Sequence, residues 1–176
     1  MNKTSQSVFQ RRFLIDTLPE PITAASGHLQ ILDRYIAGTR LRLRQVRIPG
    51  TDQYTRMLQQ RIVLPNEIEI KLAEIHLNDI EYSIFESIGR SEVRKNRYFH
   101  EFDQIPMAFD VYLGQLQGLK LALAEFETLD EAERMSMPEF SSHEVTHDSA
   151  FVGENLAASS FGDLPLHPGR PTGDRS

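Results

Sequence analysis

The run TRLRLR at residues 39–44 alternates arginine with leucine, and this alternation points to a β-rich fold. A period of two places successive side chains on opposite faces of a strand, so the two leucines share one face. Arg40, Arg42 and Arg44 share the other face, about 7 Å apart at the rise of a β-strand. Such a row repels itself unless an anion lies across it, and guanidinium forks match phosphate oxygens well. The alternative is a solvated edge strand with scattered charges.

Length and composition narrow the class of protein. The chain of 176 residues fits one domain and is long enough to build a core. It contains no apolar stretch of about 18 residues, and its first residues, MNKTSQSVFQ, lack the apolar segment of a signal peptide. The absence of cysteine excludes a disulfide framework and a thiolate metal site. We therefore expect a soluble, cytoplasmic protein.

The charge is distributed unevenly along the chain. Residues 128–176 hold nine acidic residues and three arginines, which account for the whole net charge of −6. Residues 34–61, in contrast, hold seven arginines and one acidic residue, Asp52. Fifteen of the nineteen basic residues are arginine, which favours fixed contacts with anions. Because the basic cluster is local, it predicts a site for a small anion, with neither nucleic acid nor membrane as a partner.

Most of residues 7–128 reads as short strands separated by glycine and proline. The predicted strands cover residues 8–15, 28–36, 39–47, 54–63, 67–77, 91–100, 106–114 and 118–128. Many short strands with few long helices indicate an antiparallel barrel or sandwich with helices attached. Polar residues recur on one face of many strands, which favours a barrel with a polar lumen.

Three helices are predicted, the first two with a capping box, in which a capping residue pairs with a glutamate three residues later. The capping pairs are Asn78 with Glu81 and Thr128 with Glu131, and the helices cover residues 79–88, 129–136 and 148–159. Residues 1–160 are predicted to form a single domain. Residues 161–176 are rich in Pro, Gly and charge and are predicted to be a disordered tail.

Several runs occurring in order resemble a CYTH domain, the triphosphate tunnel metalloenzyme family. They are QILDRYIAGTRLRLRQV at 30–46, LQQRIVLP at 58–65, AEIHLNDIEYSIF at 73–85, VRKNRYF at 93–99, FDVYLGQLQGL at 109–119 and AEFE at 124–127. The resemblance implies an α+β, mostly β fold: an eight-stranded antiparallel β-barrel, or tunnel, with a few peripheral helices. It also implies that the lumen binds a triphosphate and that glutamates hold Mg²⁺ or Mn²⁺.

The motif that defines this family, Glu-x-Glu-x-Lys on an N-terminal strand, is degenerate here. The corresponding run is VFQRRFL, in which Val8 and Gln10 stand where the resemblance places the glutamates. Arg12 stands in the place of the lysine and keeps its positive charge. Half of the metal site that the resemblance implies is therefore missing.

Residues 67–71 read EIEIK and match that motif literally, but at the wrong position in the chain. The ordinary interpretation is a strand in which Ile68 and Ile70 pack while the charged residues face solvent or lumen. If the odd-numbered face points inward, Glu67 or Glu69 could replace the lost carboxylates. Both interpretations stay open at the level of sequence.

The resemblance, combined with strand periodicity, gives a set of candidate site residues. The candidates for phosphate binding are Arg12, Arg42, Arg44, Arg61, Lys95 and Arg97, with Arg40 at the rim, and the candidates for metal binding are Glu125, Glu127 and Asp110. In isolation, such charges would more simply be solvated faces or surface pairs. The resemblance does not identify a catalytic base.

Three functions are compatible with this pattern. The first is a metal-dependent triphosphatase that acts on inorganic triphosphate or on the triphosphate end of an organic molecule, with adenylate cyclase less favoured. No aromatic pair is placed to stack on a base, which favours inorganic triphosphate. The second is a binding module for polyphosphate or nucleotide without turnover, consistent with Val8 and Gln10. The third is an interaction protein whose basic strand pairs with an acidic partner or with its own acidic segment, residues 128–163.

Overall fold

The computed structural model describes residues 6–89 and 91–166. The strands of this part are β1 Gln6–Leu14, β2 His28–Tyr35, β3 Leu41–Arg47, β4 Tyr54–Val63, β5 Glu69–His76, β6 Ser91–Phe102, β7 Ile105–Tyr112, β8 Lys120–Phe126 and β9 His143–Glu144. The α-helices are α1 Asp79–Glu86, α2 Leu129–Arg134 and α3 Gly153–Ala157. None of the described helices has the length and apolar character needed to cross a membrane.

Eight strands form a closed antiparallel barrel, as expected. Neighbours follow the order β5, β4, β3, β2, β6, β7, β8 and β1, and β1 pairs back onto β5 to close the ring. Residues 6–9 of β1 pair with β5, and residues 9–14 pair with β8. The short β9 adds to β1 beyond the end of β5. The fold class is confirmed as mostly β, with peripheral helices.

The alternation along β2, β3, β6 and β7 places charged side chains on the lumen side of the ring. The register places Asp33 of β2 opposite Arg44 of β3, and Asp110 of β7 opposite Arg97 of β6. These charged pairs face inward, whereas Leu43, between Arg42 and Arg44, lies on the outer face and is fully buried. The period-two pattern of TRLRLR therefore orients its arginines toward the interior of the ring.

Two apolar clusters support the barrel. One lies on the outer face of β1, β6, β7 and β8, where Phe13 and Phe109 are fully buried. The other lies at one end of the ring, which we call the closed end, and combines strand residues such as Leu121 with Phe151 and Leu156 from the C-terminal part of the chain. Each cluster removes apolar surface from water and thereby stabilises the barrel.

The first two helices begin as predicted, with capping boxes at Asn78 and Thr128. The third prediction was wrong, because the single helix 148–159 is divided into a 3₁₀ turn, Ser149–Phe151, and α3, with extended backbone at Val152 between them. This break lets Phe151 enter the closed end, where it is 2% exposed.

The boundary of the predicted disordered tail also needs correction. Phe161–Asp163 forms a 3₁₀ turn, and Leu164 is buried in the cluster at the closed end. Apolar contact therefore orders the chain beyond residue 160. The remainder of the predicted tail, residues 167–176, lies outside the described residues.

Candidate functional site

A cavity of about 240 Å³ occupies the lumen and brings together cationic side chains from four strands, β1, β3, β4 and β6. Its basic lining residues are Arg12, Arg42, Arg44, Arg61, Lys95 and Arg97. All six candidates for phosphate binding thus share one cavity. Arg40, expected at the rim, lies outside it and lines a smaller neighbouring cavity of about 110 Å³ together with Arg42 and Arg61.

Asp33 fixes two of the arginines. Arg44 donates from Nε and Nη2 to the two carboxylate oxygens of Asp33, at 2.6 and 2.7 Å, and Arg42 lies 3.6 Å from the same carboxylate. Burial opposes ionisation of Asp33, but the two guanidinium groups outweigh it and hold its pKa well below the usual range. Arg42 also donates from Nε to Gln59 at 2.7 Å. Both arginines are therefore held in defined orientations.

Asp110 fixes a second pair of cations in a similar way. Arg97 donates to both oxygens of Asp110 at 2.6 and 2.8 Å, and Lys95 donates to Oδ2 at 2.6 Å. Burial alone would lower the pKa of Arg97, but the facing carboxylate outweighs burial and raises it. For Lys95 burial dominates over the attraction of Asp110, and its pKa falls to about 8. The lumen therefore contains one cation that titrates close to physiological pH.

Arg61, unlike the cations held by Asp33 and Asp110, forms no ion pair with a carboxylate of the described chain. Its Nη2 donates to the amide oxygen of Gln10 at 3.2 Å, a neutral partner. Burial, and then repulsion from Arg42 and Arg12, lowers the pKa of Arg61 to about 10. The cationic charge of the lumen is thus only partly neutralised by the protein.

Arg12 contacts the C-terminal segment, which we define as residues 145–157. Its Nη1 donates to the carbonyl of Phe151 at 2.9 Å, and its Nη2 donates to the carbonyl of Thr146 at 2.7 Å. Phe151 and Gly153 of this segment line the lumen cavity. A Cβ at Gly153 would lie 1.9 Å from the hydroxyl of Tyr35, so only glycine allows this close approach. Arg12 therefore holds the segment that covers the closed end, in addition to any role toward a ligand.

The lumen has two chemically different sides. We call the first the cationic wall, formed by Arg42, Arg44, Arg61, Lys95 and Arg97 on β3, β4 and β6. We call the second the apolar wall, formed by Val8, Ile70, Leu72, Leu121 and Leu123 on β1, β5 and β8. Glu125 follows Leu123 on the inner face of β8 and is the acidic residue that lines the cavity within the described chain.

The predicted metal ligands do not meet. Asp110 is fully buried, and both of its oxygens accept hydrogen bonds from Lys95 and Arg97, so it is not available to a metal. Glu127 lies beyond the end of β8 and does not line the cavity. Glu125 does line it and accepts a hydrogen bond from Nε2 of Gln10 at 2.8 Å. Among the described residues, no three His, Cys, Asp or Glu side chains form a cluster suited to a metal ion.

The EIEIK run does not restore the missing carboxylates. Ile70 and Leu72 point into the lumen, so the odd-numbered residues of β5 face outward. Glu69 accepts a hydrogen bond from the hydroxyl of Ser7 on the exposed surface. Glu67 lies before β5 in a left-handed backbone conformation, at φ 61°, and contacts His147. The ordinary interpretation of this run as a strand with an exposed charged face is therefore correct.

Sequence reasoning missed Asp33, and it gave Asp110 a different role from the one it has beside the cationic wall. Asp33 was not among the candidates, although in the run ILDRY it occupies the same strand face as Ile31 and Tyr35. A lone aspartate on an otherwise apolar strand face, beside an arginine-rich strand, would have indicated a buried counterion. Asp110 was recognised as inward-facing, but its role was assigned to metal.

Known structures share this barrel. The inorganic triphosphatase NE1496 is similar with a TM-score of 0.59 and 23% identity, over 86% of this chain and 95% of that chain. Another structure, of the hypothetical protein NE1496, is similar with a TM-score of 0.60 and 20% identity, over 87% of this chain and 99% of the other.

This chain has the fold of NE1496. The PH1819 protein from Pyrococcus horikoshii OT3 is similar at a TM-score of 0.51 and 13% identity, over 72% of this chain and 82% of that one. These likenesses agree with the barrel that the CYTH resemblance implied. No protein-family profile and no curated protein matches the sequence.

Proposed function

We propose that this protein binds a triphosphate-containing small molecule in the lumen of its barrel. The observation that carries the proposal is the convergence of six cations on one cavity of about 240 Å³, where the buried carboxylates of the described residues are Asp33 and Asp110 and Glu125 also lines the cavity. Arg61 is the clearest case, because burial and then repulsion from Arg42 and Arg12 lower its pKa, and its hydrogen-bond partner Gln10 is neutral. A polyanion in the cavity would neutralise this excess charge and accept charge-assisted hydrogen bonds.

The cationic wall is also suited to bind phosphate without rearrangement. Asp33 and Asp110 each hold a bidentate arginine, so the guanidinium planes are fixed before a ligand arrives. Fixed side chains lose less conformational entropy on binding than free ones. Nitrogen atoms that do not contact these carboxylates remain available to phosphate oxygens.

Hydrolysis of the bound triphosphate is the second candidate function, and Glu125 favours it. Magnesium usually keeps several waters and takes one or two protein carboxylates plus phosphate oxygens. Glu125 could therefore hold one Mg²⁺ or Mn²⁺ together with the ligand, although not two ions. A bound divalent ion would supply charge stabilisation at the transferred phosphoryl group. The likeness to the triphosphatase NE1496 in fold supports this candidate.

The binding proposal is tested by calorimetric titration with inorganic triphosphate, first without a divalent metal. We expect saturable binding. At a ligand concentration of 100 times Kd, the bound ligand should also raise the free energy of unfolding of the protein by about 2.7 kcal/mol. Arg61→Gln should weaken binding about 10- to 150-fold, since a hydrogen bond to a charged group contributes about 1.5–3 kcal/mol. Arg94→Gln is the matched control, because Arg94 lies on the outer face of β6 with its side chain 62% exposed. An absence of binding with and without Mg²⁺ would refute the proposal.

Turnover is tested separately by phosphate release with Mg²⁺ or Mn²⁺. A hydrolase that uses Glu125 should lose release in Glu125→Gln while it retains triphosphate binding. Stabilisation by triphosphate without any release would identify a binding module. That outcome would agree with the absence of carboxylates at Val8 and Gln10.

A further inference from the structure

A small cavity of about 110 Å³ lies at the closed end of the barrel, next to the lumen cavity. Its lining comes from the turn between β2 and β3, from β3 and β4 themselves, and from residues 152–154 of the C-terminal segment. Arg40, on that turn, is exposed, so the small cavity is open to solvent on this side. At about 30 Å³ for each water-sized group, it has room for about four such groups, the number of oxygens in one phosphate ion.

Two arginines lie directly opposite each other in the lining of the small cavity. The pairing of β3 with β4 places Leu41 opposite Gln60. The backbone N–H of Arg61 donates to the carbonyl of Arg40 at 3.0 Å, which extends this register by one residue. Like charges at directly opposite positions of antiparallel strands destabilise the pair. Arg42, two residues after Arg40, adds a third guanidinium group on the same face.

The protein supplies little negative charge to these three arginines. Asp33 lies 3.6 Å from Arg42, but it is shared with a second arginine that it binds more closely. Within the described chain, neither Arg40 nor Arg61 forms an ion pair, although Glu154 also lines the small cavity. An anion placed between the guanidinium groups would relieve their repulsion and accept charge-assisted hydrogen bonds.

The turn between β2 and β3 holds the backbone of Arg40 in a defined position. The hydroxyl of Thr39 donates to the carbonyl of Ile36 at 2.8 Å and accepts a hydrogen bond from the backbone N–H of Leu41 at 3.1 Å. On the other side, the carbonyl of Arg40 is bonded to Arg61 of β4. The three arginines are therefore brought together before a ligand binds, which lowers the entropy lost on binding.

The small cavity and the lumen cavity are neighbours that share four lining residues, Tyr35, Arg42, Arg61 and Gly153. Tyr35 and Gly153 are in such close contact that a Cβ at Gly153 would lie 1.9 Å from the tyrosine hydroxyl, which leaves no passage between these two residues. A guanidinium group has five N–H donors. Arg42 and Arg61 can therefore present donors to both cavities.

We infer that the small cavity is a second anion site, which binds one inorganic phosphate ion between Arg40, Arg42 and Arg61. The inference goes beyond the proposed function, since this site exists whether or not a triphosphate binds in the lumen. Because the two sites share two arginines and their ligands repel each other, each ligand should weaken the binding of the other by the same factor. Phosphate bound at the closed end would thus regulate occupancy of the lumen.

The test is a calorimetric titration of inorganic phosphate into protein whose lumen is already filled, at triphosphate concentrations of 10 and 100 times Kd. We expect one phosphate to bind per chain, with the same Kd at both concentrations. Arg40→Gln should weaken phosphate binding about 10- to 150-fold, since a hydrogen bond to a charged group is lost. It should change the affinity for triphosphate less than about twofold, because Arg40 does not line the lumen cavity. Arg94→Gln is the control for removal of an exposed arginine.

The outcomes separate this inference from the proposed function. A phosphate Kd that rises about tenfold between the two triphosphate concentrations would mean competition for the lumen, and the inference would be wrong. It would also be wrong if phosphate does not bind, if Arg40→Gln has no more effect than Arg94→Gln, or if Arg40→Gln weakens triphosphate as much as phosphate. If triphosphate does not bind, the proposed function fails. The second site then still stands if phosphate alone binds and Arg40→Gln weakens its binding at least about tenfold.

Discussion

The cationic wall and the apolar wall enclose the same cavity but differ in how their side chains are satisfied. On the cationic wall, Asp33 and Asp110 are almost fully buried and bind pairs of cations, so charge is both concentrated and organised. On the apolar wall, Val8, Leu72 and Leu123 occupy inward positions with no polar group. The comparison shows that cations are concentrated on one side of the cavity, and that Glu125 is the acidic residue that lines it within the described chain.

The difference also explains how a row of arginines can lie inside a protein. A buried charge is tolerated when it is paired and hydrogen-bonded, and each carboxylate of the cationic wall satisfies two cations. The apolar wall requires no such compensation. The side chains of the apolar wall carry no charge, so they need no counterion inside the barrel.

The largest effect is expected from removing a carboxylate of the cationic wall. Asp110→Asn leaves Lys95 and Arg97 buried without their counterion, and breaking a buried ion pair from one side costs about 3–5 kcal/mol. Urea denaturation without ligand should show this loss in the free energy of unfolding. Saturating triphosphate should recover part of it, because the bound anion takes the place of the missing charge.

The control for this variant is Glu92→Gln, since Glu92 has a 38% exposed side chain that pairs with Arg94 and, at 3.5 Å, with Arg34. An exposed pair contributes at most about 1 kcal/mol. If Asp110→Asn costs no more than Glu92→Gln does, the ion pairs do not stabilise the cationic wall and the comparison between the two walls breaks down.

The next effect concerns the apolar wall, where carboxylates can be introduced at the positions that lack them. The double variant Val8→Glu with Gln10→Glu places two carboxylates near Glu125, which now accepts a hydrogen bond from Gln10. With triphosphate bound, Mn²⁺ affinity should rise at least about tenfold, since even indirect partners of a metal change its affinity by that much. Calorimetric titration with Mn²⁺ measures the change, and glutamines at both positions provide the uncharged control. Equal Mn²⁺ affinity in the two variants would show that this wall cannot support a metal site.

The smallest effect is a dependence of ligand affinity on pH. Lys95 has a pKa of about 8 in the free protein, and a bound polyanion stabilises its protonated form. Affinity for triphosphate should therefore be full below about pH 7 and fall several-fold as the pH rises through 8. Lys95→Met should bind more weakly, and any pH dependence that remains in this variant belongs to the ligand. An identical pH profile in both proteins would exclude Lys95 as the titrating group.

Short-range patterns in the sequence predicted the strands and favoured a barrel, and the family resemblance implied that eight strands close the ring. Alternation in TRLRLR gave a two-faced strand, and capping boxes at Asn78 and Thr128 gave the helix starts, which the structure confirms. The break at Val152 was missed because it depends on Phe151 fitting into a distant apolar cluster. Local propensity does not report such a contact.

For the candidate site, the sequence predicted which cations are present but did not predict their partners. Periodicity and resemblance identified all six cations that line the cavity. They did not show that Asp110 neutralises two of these cations, or that Glu69 faces away from them. Those outcomes depend on strand register, since a shift of one residue moves a side chain to the other face.

By itself, then, the amino-acid sequence determined the eight strands of the barrel, the starts of two helices, the excess of arginine and the loss of carboxylates at Val8 and Gln10. These are properties of single strands and of composition, and they do not depend on which strands become neighbours. Only the tertiary structure decided which carboxylate faces which cation, and that apolar residues of β1, β5 and β8 form the wall opposite the arginines. Closing the ring brings together residues far apart in the chain, and burial within it sets their charges and partners.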